Sequence, residues 1–290
     1  MVKKNKLIAS IIIRGKNEAK WLKILLPILK KQTIQNFEII FCDNKSIDNS
    51  LEILKKYKVK KIISFKNYLP GKVLNSAIKI SSGQFICILS SHCIPASNKW
   101  LQEHINYINK DKNYVAVFGK QIPLPGSSTQ NLIDLDIIFK DQEIIYKKDP
   151  YLNNANSIYR SSVLKKNLFN SKLTNVEDRE WANRIIKKGY TVCYSALSDV
   201  YHLHGIHQHQ TQSNRSIDTH RIIQKKYIKK WKSCNFLYKE NLKFGLIVNA
   251  RREHNKKALE NKIEKLFIKL KNNFNFIDRI ILITNFNDLT

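Results

Sequence analysis

Ile8-Ala9-Ser10-Ile11-Ile12-Ile13-Arg14-Gly15-Lys16-Asn17-Glu18 is the stretch that decides the fold. Ile8–Ile13 is apolar almost throughout and has the length of one strand. A strand with only one buried face alternates apolar and polar residues, whereas an unbroken run belongs to a strand covered on both faces. Polar and charged residues follow at once, from Arg14 to Glu18, as expected of a turn at the carboxyl end of that strand. A leader peptide is the competing assignment. It is disfavoured because the apolar run is short, Arg14 interrupts it and no small-residue cleavage site follows.

Outward from this strand the pattern repeats. Trp21, Leu25, Ile28 and Leu29 fall on one helical face, with Pro27 expected to kink the helix or limit its regularity. Phe37–Cys42 is a second strand and Asp43–Asn49 a polar loop, where Asp48 or Asn49 is suited to cap a helix starting near Ser50. Ile62–Phe65 reads as a strand, Lys72–Ile80 as a helix closed by Ser81-Ser82-Gly83, and Phe85–Leu89 as a fourth, wholly apolar strand. Such βα units in series imply an α/β fold: a Rossmann-like, mostly parallel sheet with helices on both faces. Ligands in that architecture bind beyond the carboxyl ends of the strands, which singles out Arg14–Glu18, Asp43–Asp48 and Ser90–Pro95.

Further along, Asn113–Gly126 is expected to be a strand and a proline-containing loop, Leu132–Tyr146 a helix, Val176–Gly189 a helix stopped by glycine, and Thr191–Tyr194 a short strand. Beyond Asn241 the pattern restarts: Phe244–Asn249 strand-like, Lys256–Lys271 an amphipathic helix and Arg279–Thr284 a strand. The boundaries drawn are a main domain over 1–235 and a short βαβ-like extension over 241–290.

The 290 residues carry 51 Lys and Arg against 23 Asp and Glu, a net charge of +28. That balance attracts anions: nucleic acid, acidic lipid headgroups or phosphorylated substrates. Lysine is spread along the whole chain, however, so a solvated basic surface accounts for much of it. The nearest approach to a nucleic-acid motif, Arg221–Lys232, suits a membrane-surface helix equally well, and nucleic acid is disfavoured as a partner. Cys42, Cys87, Cys93, Cys193 and Cys234 form no CxxC pair, which points to free thiols in a reducing compartment and a cytoplasmic protein, peripheral at most on the inner membrane face.

Asp43 ends an apolar strand too early to cap the next helix, so its carboxylate is a candidate for ligand contact. Glu177-Asp178 opens a helix and either complements its dipole or supplies a catalytic carboxylate. His202 and His204 share a face if that stretch is extended.

Six segments in order resemble the family 2 glycosyltransferases of GT-A fold. They are Ser10–Glu18, Asp43–Asp48, Pro70-Gly71-Lys72-Val73-Leu74-Asn75, Ile88-Leu89-Ser90-Ser91-His92-Cys93-Ile94-Pro95, Asn154-Ala155-Asn156-Ser157, and Glu177-Asp178-Arg179-Glu180-Trp181 with Arg184 and Lys188-Gly189-Tyr190. The fourth is similar to the L-S-A-H-C-x-P of a subgroup that has it in place of D-x-D. The resemblance implies an inverting transfer of a hexosyl or deoxyhexosyl group from a nucleoside diphosphate sugar to a hydroxyl of a glycan or lipid-linked saccharide. It implies Asp178 as general base, and Arg14, Glu18, Asp43, Lys72, Ser91 and His92 around the donor. Glu177, Trp181 and Asn156 would stand on the acceptor side. A divalent cation, Mn²⁺ or Mg²⁺, is usual in the family, but the D-x-D carboxylates are absent here. His92 and His204 are the candidate ligands, unless His92 donates directly to phosphate in a metal-free site or is simply structural. A degenerate protein that only binds the nucleotide sugar is the alternative. After Asn241, Ala250-Arg251 and Lys257-Ala258-Leu259 faintly resemble the start of the sugar cytidylyltransferases, which implies a partial or degenerate nucleotidyltransferase-like segment or a plain βαβ extension.

Overall fold

The computed structural model describes residues 7–203, 244–249, 256–273 and 277–283. The chain divides into two compact units, Met1–Gln224 and Lys225–Thr290. Arg221–Lys232, His204 and Cys234 lie outside the described residues.

The first unit is built on one sheet. In chain order its strands are β1 (Ala9–Gly15), β2 (Phe37–Asp43), β3 (Lys61–Ser64), β4 (Phe85–Ser90), β5 (Cys93–Pro95), β6 (Tyr114–Pro123), β7 (Ile144–Tyr146), β8 (Asn156–Arg160) and β9 (Thr191–His202). Their spatial order is β3-β2-β1-β4-β8-β6-β9-β5, with β7 beside β9. β1, β2, β3 and β4 are parallel. β8 runs against both β4 and β6, and β9 is parallel to β6. Thus β6 and β9 point the same way as β1, and the short β5 and β7 oppose β9.

The alternation of side chains explains the unbroken apolar run. Ile11 and Ile13 enter one core with Leu22, Leu25, Leu26 and Leu29 of α1 (Ala19–Leu29), Ile53 and Leu54 of α2 (Ser50–Lys56), and Trp100 and Leu101 of α4 (Trp100–Ile108). Ile12 points the other way, toward Val73, Leu74, Ala77 and Ile78 of α3 (Pro70–Ile80), Leu164 of α6 (Ser161–Lys166) and Trp181 and Ile185 of α7 (Glu177–Ile186). Each such Ile or Leu, fully buried, contributes about 1.5–3 kcal/mol, so both layers are clamped onto the strand that feeds the Arg14 turn. The α/β architecture expected from the sequence is the one observed.

Two local expectations change. Leu132–Tyr146 is not one helix: α5 (Thr129–Ile138) stops, and Ile144–Tyr146 becomes β7, paired to Val192–Tyr194. The unfilled edge of β9 claims a short Ile-Ile-Tyr run that helical periodicity alone cannot separate from the helix before it. The strand foreseen at Thr191–Tyr194 extends to His202, with register shifts against β6. Pro27 lies inside α1, two residues before its end. Cys42, Cys87, Cys93 and Cys193 are buried free thiols.

In the second unit, β10 (Phe244–Asn249) and β11 (Ile277–Ile283) are parallel neighbours, with α8 (Lys256–Asn273) between them in sequence. This is a βαβ arrangement. Among the described residues no helix is long and apolar enough to cross a membrane.

Candidate active site

Register brings the site loops together. Gly15 pairs with Asp43 and Arg14 with Ser90, so β1, β2 and β4 end side by side. The antiparallel β8 places its first residue, Asn156, beside Leu89, and so delivers the preceding loop to the same edge.

The two loops after β1 and β2 are laced to each other. The Asn17 amide donates to Ser46 Oγ at 2.9 Å, and the Ile47 amide to Asn17 Oδ1 at 2.8 Å. The Glu18 amide donates to Ser50 Oγ and the Ala19 amide to Asp48 Oδ2, each at 2.9 Å. Two of the amides at the start of α1 are therefore satisfied from the neighbouring loop, and the Glu18 side chain makes no capping bond of its own. Asp48 also accepts from the Ser50 amide at 3.0 Å, so it serves both helices, while Asn49 makes no capping bond. Partial burial raises the Asp48 pKa, but its bonds from Ser50 and Ala19 outweigh this and leave it below the usual value. Asn17 and Lys45 both adopt left-handed φ of 56°. Such backbone persists only where surrounding bonds over-determine it. Asp43 is 2% exposed and takes the Ser46 amide on Oδ1 at 3.1 Å, forming the loop it stands in.

At the end of β4, the buried Glu18 meets His92 Nδ1 at 3.3 Å. The His92 ring stacks on His202 with centroids 5.2 Å apart, and His202 Nδ1 is 2.6 Å from Gln121 Oε1. Ser91 is fully buried, and its Oγ, which has no hydrogen-bond partner, is 3.0 Å from where a Cβ on Gly15 would stand. Among the described residues no three His, Cys, Asp or Glu side chains converge to hold a metal. Glu18 and His92 are two donors already turned toward each other, and a hard divalent cation favours more oxygen ligands than they offer. These residues do not make a cation site by themselves.

The acidic turn of α7 forms the other wall. Val176, just before it, has φ 53° and ψ 24°. A β-branched residue is rarely found in that left-handed region. Glu177, 4% exposed, is paired with Arg14 Nη1 at 3.1 Å. Asn154 brackets both acids: its side-chain amide donates to Glu177 Oε1 at 3.2 Å, and its backbone amide to Asp178 Oδ2 at 2.9 Å. The Arg179 amide donates to Asp178 Oδ1 at 2.8 Å. The Ser157 and Tyr159 hydroxyls donate to Asn154 Oδ1 and hold that amide's orientation. Burial and the Glu177 charge push the Asp178 carboxyl up to about 7, against the opposing effect of the two amides and Arg179. Burial disfavours the Arg14 charge, but Tyr68, Glu177 and Asp178 more than offset this and keep it cationic. Tyr68 hydrogen-bonds Arg14 from the loop before α3.

Of the residues singled out in the sequence, Arg14, Glu177 and Asp178 form one cluster and Glu18 and His92 another. Lys72 is exposed on the first turn of α3. Its neighbour Gly71 is packed so closely that a Cβ would lie 2.3 Å from Asn170 O. Two expected acceptor-side residues are placed elsewhere. Trp181 is fully buried between Tyr159 and Phe169, with its indole N–H on Asn167 O. Asn156 is also fully buried and has no capacity left for a substrate. Its Oδ1 accepts from Trp100 Nε1 and His104 Nε2, and its Nδ2 donates to Ser198 O and Lys120 O. Both side chains project from regular elements toward the interior, which a motif read as a string does not reveal. Asn154 and Tyr68 were not singled out individually. Asn154 was visible in Asn154-Ala155-Asn156-Ser157, but nothing in that string says which asparagine faces the site; Tyr68 carried no signal.

Known proteins share part of this sequence and this fold. The family described as Glycosyl transferase family 2 matches residues 10–168, just over half of the chain. The chain is similar to the Poly(ribitol-phosphate) beta-glucosyltransferase of Bacillus spizizenii, at 27% identity over 210 residues, covering 67% of this chain and 32% of that protein. It is likewise similar to the O-antigen chain rhamnosyltransferase WbaN of Salmonella anatum, at 27% identity, covering 66% of this chain and 64% of that one. The matched region thus spans about a third of the first relative's length and just under two thirds of the second's. Among solved structures, S. aureus TarS 1-349 in complex with UDP-GlcNAc superposes with a TM-score of 0.55 at 21% identity, over 70% of this chain and 61% of that one. The mannosyltransferase PcManGT of Pyrobaculum calidifontis, in complex with GDP-Man and Mn2+, gives 0.54 at 12%, over 79% and 65%. These two show a shared fold. With the family model matching more than half of the chain and the solved structures sharing its fold, the chain belongs to glycosyl transferase family 2.

Proposed function

We propose that the chain transfers a sugar from a nucleoside diphosphate sugar to a hydroxyl of a glycan or lipid-linked saccharide, with inversion, and that Asp178 is the general base. The observation that carries this is the Asp178 carboxyl at the acidic turn of α7, held by the Asn154 and Arg179 backbone amides beside the enclosed Arg14–Glu177 pair, with burial and the Glu177 charge raising its proton affinity. An alcohol is a poor nucleophile near neutral pH. A carboxylate whose proton affinity lies near the working pH is well suited to take the hydroxyl proton as the new bond forms. In the single displacement, the acceptor oxygen bonds to the anomeric carbon, the bond from that carbon to the diphosphate oxygen breaks, and the proton passes to Asp178. Inversion follows from one displacement with one base.

The donor would lie across the ends of β1, β2 and β4. Asp43 and Glu18 are the proposed contacts to the nucleoside. Lys72, Ser91 and His92 are the proposed groups for the diphosphate, where preorganised donors stabilise the charge of the leaving group. The relatives' names include glucosyl and rhamnosyl transfer, and a structural neighbour is in complex with UDP-GlcNAc, which supports a hexose or deoxyhexose donor. A divalent cation bound with the donor, as the Mn2+ of one neighbour suggests, would supply further charge on the diphosphate. In this reading the catalytic unit comprises residues 1–235 of a cytoplasmic protein, peripheral at most on the inner face of the membrane. The test is acceptor-dependent nucleotide release from a panel of UDP-, GDP-, CDP- and dTDP-sugars, with a lipid-linked saccharide bearing free hydroxyls as acceptor, by the wild type and Asp178→Asn. Release by the wild type and its loss in the variant are expected; equal release by both would remove Asp178 as the base.

A further inference from the structure

Arg14 stands on β1, between the donor loops and the acidic turn, yet its guanidinium is committed to Glu177 and Tyr68. Glu177 is too enclosed to serve as an accessible acid, at 4% exposure. Asn154 ties Glu177 to Asp178 through the two ends of one residue, 3.2 Å on its side chain and 2.9 Å on its backbone. Two adjacent carboxylates, one almost wholly enclosed, persist only if a cation and directed hydrogen bonds balance them.

We propose that Arg14 is a positioning residue for transfer, acting through Glu177 and Asn154 to fix the orientation and the proton affinity of the Asp178 carboxylate. This rests on Asp178 being the proton acceptor proposed above. It assigns to Arg14 a task on the acceptor half of the reaction, although the residue lies on the strand that leads into the donor loops.

The groups acting on Asp178 set the sign. From α7 itself come Glu177, which raises its proton affinity, and Arg179, which lowers it. From β8 and the loop before it come the Tyr159 and Tyr151 hydroxyls, both sensitive to the Asp178 charge. From β1 comes Arg14, which interacts favourably with both carboxylates, with Tyr68 behind it. Loss of the Arg14 charge leaves Glu177 uncompensated, so the pair ionises less readily and Asp178 holds its proton to higher pH. Loss of the Glu177 charge does the reverse. An opposite charge in direct contact moves a carboxyl by about 1–3 pH units, so a cation acting largely through Glu177 should move it by about 1.

The experiment is a carboxyl ¹³C NMR titration of the full chain, with the Asp178 signal assigned as the one lost in Asp178→Asn. Arg14→Met should raise the Asp178 midpoint by about 1 unit, Arg14→Lys should restore most of it, and Glu177→Gln should lower it. In the Glu177→Gln background, Arg14→Met should have a clearly smaller effect, because the link through Glu177 is gone. An unmoved midpoint in Arg14→Met, or an equal shift with and without Glu177, overturns the proposal. Should Arg14→Met not fold, Arg14→Lys and Glu177→Gln still decide it: a Glu177→Gln midpoint equal to wild type is a refutation. The titration needs no substrate, so its failure is separate from failure of the transfer assay with Asp178→Asn.

Discussion

Replacing Asp178 by Asn should change stability in a pH-dependent way that reads out the same carboxylate. The folded protein keeps the Asp178 proton up to about 7, whereas an ordinary aspartate releases it at 3.8. A carboxyl with a raised folded pKa contributes stability that is fully present at acid pH. That stability is lost as the pH rises from about 4 to about 7, because the unfolded chain then binds fewer protons than the folded one. Between about pH 5 and about pH 8 the loss is about 2–3 kcal/mol from the two pKa values, and about 1–2 kcal/mol once solvent on the half-buried side chain is allowed for. The variant cannot ionise and escapes this loss. Its amide also turns an N–H toward one of the two backbone donors now held by the carboxylate, Asn154 N or Arg179 N. That penalty is the same at both pH values and cancels in the comparison. Urea unfolding of both proteins at the two pH values gives the difference directly. Relative to wild type, the variant should be more stable at about pH 8 than at about pH 5 by about 1–2 kcal/mol. The same relative stability at both, or a change of opposite sign, would show that Asp178 ionises as an ordinary aspartate and would refute the reasoning.

Asp48→Ala should lower stability by about 1–2 kcal/mol, since the Ala19 and Ser50 amides both lose their acceptor, and should weaken nucleotide binding by loosening the two donor loops; urea unfolding and calorimetry with nucleoside diphosphates check the two effects. His104 is fully buried, and burial pulls its pKa down to about 4 despite its bond to Asn156. Its contribution is therefore lost as pH falls from about 6.5 toward 4, where the unfolded chain takes up the proton first, so His104→Gln should flatten the acid side of the stability profile by up to about 3 kcal/mol.

The sheet was legible because its first strands are apolar on both faces. Ile11, Ile12 and Ile13 each enter a core, and such a run has few alternatives. β7 was not legible, because three residues carry no period and only the open edge of β9 makes them a strand. In the site, the order of segments located the turns after β1, β2 and β4 and the start of α7. It did not show which side chains face the opening. Trp181 and Asn156 point inward because a helix face and a strand face must be buried, and Asn154, two residues before Asn156, takes the place at the acids. The Arg14–Glu177 pair joins residues 163 positions apart, and no local pattern encodes it. Asp48 was legible as a cap but not as the acceptor for α1, because that bond crosses between two loops.

The most direct measurement of the central claim is transfer by Asp178→Asn beside donor binding by the same protein, using whichever nucleoside diphosphate sugar the wild type turns over. A general base contributes about 10²–10⁴-fold, so nucleotide release should fall by that factor while donor affinity in calorimetry stays close to wild type. Release within a few-fold of wild type, with binding unchanged, would contradict the account.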